Sequence, residues 1–331
     1  MKSNHANLIA RLRTRLLLGP PLLLDGATGT ELERRGVRTG LPLWSTHALL
    51  EAPALVEEIH RDYVEAGAEI LTANTFRTQQ RTLARGGYAE RAAQLTVLAV
   101  QLARNASQRA ARFDAPDANV PPTLLGRFRV PLIAGSAPPL EDCYHPERVP
   151  DPQTLYREHT EHIQNLVAAG VDLVLIETMN TIREAKAALQ AAHELHATCC
   201  VSFVCREDGR LLSGETLSDA IEAVVLLEPL AVLVNCLPAS YVPSCLAALQ
   251  GGGLPFGVYA NLGAPDAVTG FHRSEECSPE AFATLSFAWV EAGAHIIGGC
   301  CGTTPAHIRA IAQAQSARSR ASEARNQERG T

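Results

Sequence analysis

The stretch GGCCGTTPAHI, from Gly298 to Ile308, places two adjacent cysteines after a short apolar run. Neighbouring cysteines rarely form a disulfide with each other, so Cys300 and Cys301 are better suited to metal binding or catalysis. A third cysteine, Cys236, ends another apolar run. Three thiolates around one point form a soft site that suits zinc, and three protein ligands leave the fourth tetrahedral position open, as in catalytic zinc sites.

The cysteines can share one site only if the fold brings the ends of two strands together. Eight continuously apolar runs are spread along the chain, and such runs are typical of strands that are buried on both faces. Amphipathic helical patterns separate them, and three of these patterns end at a glycine: Gly67, Gly170 and Gly293. The predicted strands are Pro21–Ala27, Glu69–Phe76, Pro131–Ala137, Asp172–Thr178, Cys199–Cys205, Ala231–Leu237, Phe256–Leu262 and His295–Cys301.

Eight β-then-α units predict an α/β protein of the (β/α)8 TIM-barrel type. We expect one domain over residues 1–315, with an N-terminal helix over Asn7–Leu18 and a flexible, polar C-terminal tail over residues 316–331. An open doubly wound sheet is the alternative fold. That fold usually carries a glycine-rich phosphate loop after its first strand, and the sequence DGATGTEL does not fit G-x-G-x-x-G.

Polar residues follow most of the predicted strands, where a TIM barrel carries its chemistry. Strands six and eight are separated by one strand, so Cys236 is expected to meet Cys300 and Cys301 at the barrel mouth. Asp25 and Glu177 end apolar strands, where burying a carboxylate without a partner is costly. The other candidate site residues at strand ends are Gly26, Thr28, Asn74, Ser136 and Asn235.

Composition excludes several classes of function. The 331 residues are 46% hydrophobic and 19% charged, with a formal net charge of −6 and no basic stripe, which argues against nucleic acid as the main partner. The apolar N-terminal stretch is interrupted by Pro20 and Pro21 and is too short to span a bilayer. An odd number of cysteines, nine, favours reduced thiols and a cytoplasmic protein.

The chain resembles the homocysteine S-methyltransferase family of (β/α)8 barrels. The resemblance rests on LLLDGATGTELERRG, EILTANTFRT, LVLIETMNTIREAKAAL, VNCLPAS and GGCCGTTPAHI. It implies a zinc ion held by Cys236, Cys300 and Cys301, with the sulfur of homocysteine as the fourth ligand. It further implies that Asp25 and Glu177 hold the amino group of homocysteine and that the turn from Gly26 to Thr28 holds its carboxylate. Asn74, Ser136 and Asn235 are expected to line the pocket.

The methyl donor is the open part of this prediction. The segments GSAPPLEDCYHPERVP and ANLGAPDAVTGF depart from the family pattern, and both are expected to touch the donor. S-methylmethionine is the first choice and S-adenosylmethionine the second, with Phe76, Tyr144 and Tyr259 as candidates to cradle the cationic donor. Two alternatives stay open. The first is methyl transfer to another thiol or selenol or from another donor, such as demethylation of an unusual sulfonium. The second is a non-catalytic zinc-binding or redox-sensing barrel. The partners are expected to be small molecules, and the sequence predicts no oligomeric state.

Overall fold

The computed structural model describes residues 2–113, 127–128, 130–263 and 277–329. These residues contain eight parallel strands in one sheet, as predicted. The strands are β1 Leu22–Leu23, β2 Ile70–Ala73, β3 Leu132–Ala137, β4 Leu173–Met179, β5 Cys199–Phe203, β6 Val232–Pro238, β7 Phe256–Asn261 and β8 Ile296–Gly299.

The sheet closes on itself. Each strand from β2 to β7 pairs with the next along the chain, and β8 also pairs with β1, with Leu22 opposite Ile296. The remaining seam, between β1 and β2, is joined by a bridge from Leu24 to Ile70 and by the hydrogen bond from Asp25 N to Ile70 O at 3.0 Å. The fold is therefore the predicted (β/α)8 barrel.

Helices surround the barrel, and local sequence sets their ends. The helix before β4 begins after Asp151, whose side chain accepts hydrogen bonds from two backbone N–H groups, and has Pro152 at its first position. It ends at Gly170, which adopts a left-handed conformation with φ of 84°. The helices are α1 Lys2–Leu18, α2 Gly29–Arg34, α3 His47–Glu51, α4 Pro53–Ala66, α5 Gln80–Arg85, α6 Ala92–Phe113, α7 Pro152–Ala169, α8 Ile182–Glu194, α9 Leu217–Val225, α10 Val242–Gly251, α11 Pro279–Glu291 and α12 Pro305–Arg329.

Helix α1 covers the end of the barrel at which the strands begin. Its Leu12 and Leu16 belong to the same buried cluster as Leu22 and Leu132, two strand-initial side chains. Beside them Arg15 is fully buried and pairs with Glu69, which directly precedes β2, through N–O distances of 3.1 and 3.2 Å. The N-terminal end of the barrel is thus closed by apolar packing and by one internally paired charge.

The last helix, α12, continues to Arg329 and therefore runs into the segment 316–331 that the sequence predicts to be a tail. Arg318 contacts Glu291 of α11 at 2.9 Å and lies over the ring of Phe287. The domain boundary at residue 315 stays a prediction. Within the described ranges, no helix combines the length and the apolar character that crossing a membrane requires.

Candidate active site

Three cysteine side chains meet at the C-terminal end of the barrel. Cys236 lies on β6, and Cys300 and Cys301 come directly after β8. Their sulfur atoms all lie within 4.8 Å of one another, and the Cys236 and Cys300 sulfurs are 3.3 Å apart. In a tetrahedral zinc site with Zn–S bonds of about 2.3 Å, ligand sulfurs are about 3.8 Å apart. The three thiols are therefore spaced to hold one such ion and leave its fourth position to another ligand.

Backbone contacts explain how two successive residues reach one point. The N–H of Cys300 donates to Ala260 O at 2.9 Å, and the N–H of Cys301 donates to Asn261 Oδ1 at 3.0 Å. The chain then turns through Gly302, whose φ is 86°. At Gly299 an added Cβ would lie 2.3 Å from Thr303 Oγ1, so this position admits only glycine. The glycines around the cysteine pair thus serve the turn that gathers the sulfurs.

On strand β6 a bulge aims Cys236 at this cluster. The pairing of β6 with β7 shifts register after Asn235, and Cys236 has a left-handed φ of 55°, which is uncommon for a residue with a side chain. Strand β4 has a matching irregularity at Thr178, where φ is 62°. Such local strain is concentrated at functional sites, and here it redirects a strand-end side chain into the barrel mouth.

The cysteine cluster favours one ionised sulfur. Hydrogen bonds from Cys300 and Cys301 lower the pKa of Cys236 to about 6, although burial opposes the change. The same contacts raise the pKa of the Cys301 thiol well above its ordinary value. One thiolate with two neighbouring thiols suits a soft cation, because binding of the cation would release the protons of the two thiols.

Two buried carboxyl groups face the same cavity. Asp25 accepts hydrogen bonds from Thr72 N at 2.8 Å and Thr72 Oγ1 at 2.9 Å, and it is 3% exposed. Burial raises its pKa to about 8, and the charge of Glu177 adds to this effect. Burial likewise raises the pKa of Glu177 to about 7, against hydrogen bonds donated by Ser136 Oγ and Tyr259 OH. Both groups lack a cation among the described residues.

A cavity of about 160 Å³ collects most of the predicted site residues. It is lined by all three cysteines, by both carboxyl groups and by residues of the first turn of α2. Asn74 lines it with its amide fixed by Ser45, which donates to Asn74 Oδ1 at 2.6 Å. The predicted residues that line the cavity are Asp25, Gly26, Thr28, Asn74, Ser136, Glu177, Cys236, Cys300 and Cys301.

Asn235 is the exception, because it does not line the cavity. Its Oδ1 accepts bonds from Thr178 N at 3.1 Å and Ser202 Oγ at 2.7 Å, and its Nδ2 donates to Thr178 Oγ1 at 2.9 Å. The side chain therefore links the two bulged strands inside the barrel. Asn235 precedes Cys236 on β6 but lies outside the cavity lining, and a part in substrate binding stays a prediction.

Sequence reasoning missed the contacts that join the first and last strand ends. Thr303 Oγ1 accepts a bond from Ala27 N at 3.2 Å and donates to Cys300 O at 2.7 Å. Tyr63 OH, from α4, donates to Ala27 O at 2.8 Å. The GTTP sequence after the cysteines was the available signal for Thr303, whereas nothing in the helical pattern around Tyr63 distinguishes it from a core residue.

The two segments with variant sequences differ in what the structure describes. In the segment after β3, Cys143 and Tyr144 line the cavity, and Asn180 Nδ2 donates to Cys143 O at 2.9 Å. The segment after β7 is described up to residue 263, so the rest of ANLGAPDAVTGF lies outside the described residues. Phe76 and Tyr259, the other aromatic candidates, also line the cavity.

Comparison with known proteins agrees with this arrangement. A sequence profile described as Homocysteine S-methyltransferase matches residues 22–315. Homocysteine S-methyltransferase of Escherichia coli is 35% identical, over 88% of this chain and 94% of that protein. Selenocysteine methyltransferase of Astragalus bisulcatus is 30% identical, over 88% of this chain and 92% of that protein.

The structural comparison gives the same result. The crystal structure of the homocysteine methyltransferase MmuM from Escherichia coli in its metallated form superposes with a TM-score of 0.76 at 30% identity. The superposition covers 91% of this chain and 98% of that chain. With the barrel, the cysteine cluster and the matched range in agreement, the chain belongs to the homocysteine S-methyltransferase family.

Proposed function

We propose that the protein transfers a methyl group from a sulfonium donor to the sulfur of L-homocysteine, which gives methionine, with zinc as its metal. S-methylmethionine is the donor that we place first and S-adenosylmethionine second. The observation that carries the proposal is the shared cavity: three cysteine sulfurs within 4.8 Å of one another and two buried carboxyl groups without a cation. An amino acid that bears a thiol would complete both.

The two carboxyl groups, Asp25 and Glu177, bind the amino group of the acceptor in this proposal. Asp25 is fixed by Thr72, and Glu177 by Ser136 and Tyr259, so neither needs to reorganise when a ligand arrives. Burial holds both pKa values near or above neutrality, and an ammonium group between them would favour their charged forms. The acceptor's own cation is thus the missing partner of this pair.

The first turn of α2 suits the acceptor's carboxylate. Gly26, Thr28 and Gly29 line the cavity, and the helix begins at Gly29 with no side-chain cap on its N-terminal N–H groups. Successive backbone N–H groups in such a turn can donate hydrogen bonds to an anion. Gly26 itself has no room for a side chain, because an added Cβ would lie 2.7 Å from Thr303 Oγ1.

The reaction requires an ionised acceptor sulfur and an aligned donor. Zinc, when bound by the three cysteines, supplies a Lewis acid that keeps the acceptor thiol deprotonated at neutral pH. The acceptor sulfur forms a bond to the methyl carbon while the donor's S–CH3 bond breaks, and the electron pair stays on the donor sulfur. The donor becomes a neutral thioether, so no general base is needed. Phe76, Tyr144 and Tyr259 offer aromatic faces to the donor cation.

Methyl transfer to another thiol or a selenol is the second candidate. The relative named Selenocysteine methyltransferase, 30% identical over 88% of this chain, favours keeping it. A non-catalytic zinc or redox role would leave the two carboxyl groups without a purpose. All nine cysteines are free in the structure, which fits a reducing compartment, and we propose the cytoplasm.

The test is methionine formation by reduced, zinc-loaded protein. L-homocysteine is the acceptor, and S-methylmethionine, S-adenosylmethionine and betaine are offered separately, with selenocysteine as a second acceptor. We expect turnover with homocysteine and S-methylmethionine. Turnover with selenocysteine alone would move the assignment to the second candidate, and zinc binding without turnover for any pair would contradict methyl transfer.

A further inference from the structure

A second charged group faces the cavity without a partner. Arg77, four residues after β2, lines the cavity and is shielded from full solvent exposure. Its Nε atom is buried and has no hydrogen-bond partner, and its guanidinium forms no ion pair with any described residue. Its guanidinium carbon lies 5.5 Å from the centroid of the Phe76 ring.

The two arginines of the following helix, α5, form ion pairs, in contrast to Arg77. Arg81, on α5, pairs with Glu141 at 2.9 Å and with Glu158 at 2.6 Å. Arg85, on the same helix, pairs with Glu141 at 2.6 Å. A buried guanidinium nitrogen without an acceptor is costly, and native proteins normally satisfy such a group. Arg77 therefore brings a positive charge to the cavity lining, and no described carboxylate forms an ion pair with it.

Arg77 lies close to Cys143, in the segment after β3. Its charge acts on Cys143, whose thiol pKa it lowers, although burial of Cys143 outweighs this effect and raises the pKa to about 12. Asp142 and Tyr144, in the same segment as Cys143, also line the cavity. The proposed function places the acceptor's carboxylate at the turn from Gly26 to Thr28, which leaves Arg77 for a second ligand.

We propose that Arg77 binds a carboxylate of the methyl donor, so that the donor is a sulfonium that carries a carboxyl group. This inference rests on the proposed function. The planar guanidinium provides paired N–H donors that match a carboxylate, and it cannot lose its charge at physiological pH. Asp142, whose Oδ1 accepts a bond from Tyr144 N at 3.0 Å, is a negative group in the segment after β3.

If Arg77 binds this carboxylate, the site should prefer sulfonium donors that carry a carboxylate over sulfonium donors that lack one. A charge-assisted hydrogen bond contributes about 1.5–3 kcal/mol, which corresponds to about 10- to 100-fold in affinity. S-methylmethionine should therefore bind at least tenfold more tightly than its carboxamide, which keeps the sulfonium and the amino group. S-adenosylmethionine should likewise bind more tightly than its decarboxylated form.

The experiment is calorimetric titration of zinc-loaded protein with these two ligand pairs. In Arg77→Gln we expect the preference for the carboxylate to disappear, and in Arg77→Lys to persist in part, because an ammonium lacks the paired donors. Arg85→Gln, the matched control, should keep the full preference. Homocysteine affinity, zinc content and the melting temperature should be unchanged in Arg77→Gln.

Three results would overturn the assignment. The first is a wild-type protein that binds neither carboxylate ligand more tightly than its carboxyl-free counterpart. The second is a preference that survives in Arg77→Gln. The third is an Arg77→Gln protein that loses homocysteine affinity, since the arginine would then belong to the acceptor. Methionine formation is measured alongside: turnover with equal affinities sinks this inference alone, and carboxylate preference without turnover sinks the proposed function alone.

Discussion

Buried carboxyl groups lie at both ends of the barrel, but their partners differ. At the N-terminal end, Glu69 meets the buried guanidinium of Arg15 through two contacts and also accepts a bond from Phe128 N at 3.2 Å. At the C-terminal end, Asp25 and Glu177 accept bonds only from neutral donors among the described residues. The buried carboxylate at one end has a cation of the protein as its partner, and we expect a ligand to supply the cation at the other end.

This difference indicates that the buried charge at the N-terminal end serves stability, whereas we expect the buried carboxyl groups at the C-terminal end to serve binding. A buried ion pair that has its partner needs nothing further from solution. Burial disfavours the charged forms of Asp25 and Glu177 and raises their pKa values to about 8 and about 7. A cation beside the two groups would stabilise the charged forms. The strained left-handed residues Thr178 and Cys236 lie at the same end. Substitutions at the two ends should therefore separate stability from binding.

The largest effect is expected from Cys236→Ser. Loss of one of three sulfur ligands should remove stoichiometric zinc. Removing a residue that only hydrogen-bonds to a metal ligand reduces activity by up to about 100-fold, so we expect a larger loss of turnover when a ligand itself is removed. Metal content by atomic emission and methionine formation are the measurements. Cys277→Ser, a cysteine outside the cluster, is the control and should keep both. Full zinc content in Cys236→Ser would refute the ligand set.

Glu69→Gln should lower stability without changing the site. Removing one partner of a buried ion pair costs about 3–5 kcal/mol, because the other charge stays buried. We expect a corresponding fall in the free energy of unfolding in denaturant, with homocysteine affinity unchanged. Glu291→Gln, which breaks the exposed contact with Arg318, should change stability little. Weakened homocysteine binding in Glu69→Gln would show that the two ends are not separable.

Glu177→Gln should do the reverse. Truncating one member of a buried charged contact costs about 2–5 kcal/mol, so homocysteine affinity should fall about 30-fold or more while zinc stays bound. Titration calorimetry on zinc-loaded protein measures this. Glu184→Gln, a buried carboxyl that accepts a bond from Leu140 N at 2.8 Å outside the cavity, is the matched control. Equal losses in both variants would point to a general structural effect.

The pH dependence of stability is the smallest expected effect. Burial raises the pKa of Asp25 from an ordinary value of 3.8 to about 8 and that of Glu177 from 4.5 to about 7. Between about pH 4 and pH 8 the folded protein therefore holds protons that the unfolded chain has lost, and this stability is lost as pH rises. Metal-free protein should unfold more easily at pH 8 than at pH 6, and Asp25→Asn should flatten the slope. A slope that Asp25→Asn leaves unchanged would count against the raised pKa.

The barrel was predictable because its strands are continuous apolar runs. Structure and prediction agree within two residues at β3 to β8, and less well at β1, which ends at Leu23 instead of Ala27, and β2, which ends at Ala73 instead of Phe76. Strand β1 stops early where the chain reaches Asp25, one of the cavity residues. The cysteine cluster followed from strand order alone, since it needs only the rule that parallel strands end together.

Side-chain direction was the part that the sequence could not supply. Asn235 and Cys236 are neighbours at the end of β6, yet the bulge sends one into the barrel interior and the other into the cavity. Arg77 was overlooked because a charged residue after a strand is usually solvated. Its missing partner becomes visible only when the surrounding side chains are in place. Bulges and unpaired groups are properties of tertiary packing.

The most direct test compares homocysteine with 4-mercaptobutanoate, which has the same thiol and carboxylate but no amino group. Binding of each to zinc-loaded protein is measured by titration calorimetry at pH 7.5. If Asp25 and Glu177 bind the amino group of homocysteine, the affinity for homocysteine should exceed that for the analogue by about 30-fold or more. Glu177→Gln should remove most of this difference. Equal affinities for the wild-type protein would contradict the assignment of the carboxyl pair to the acceptor's amino group.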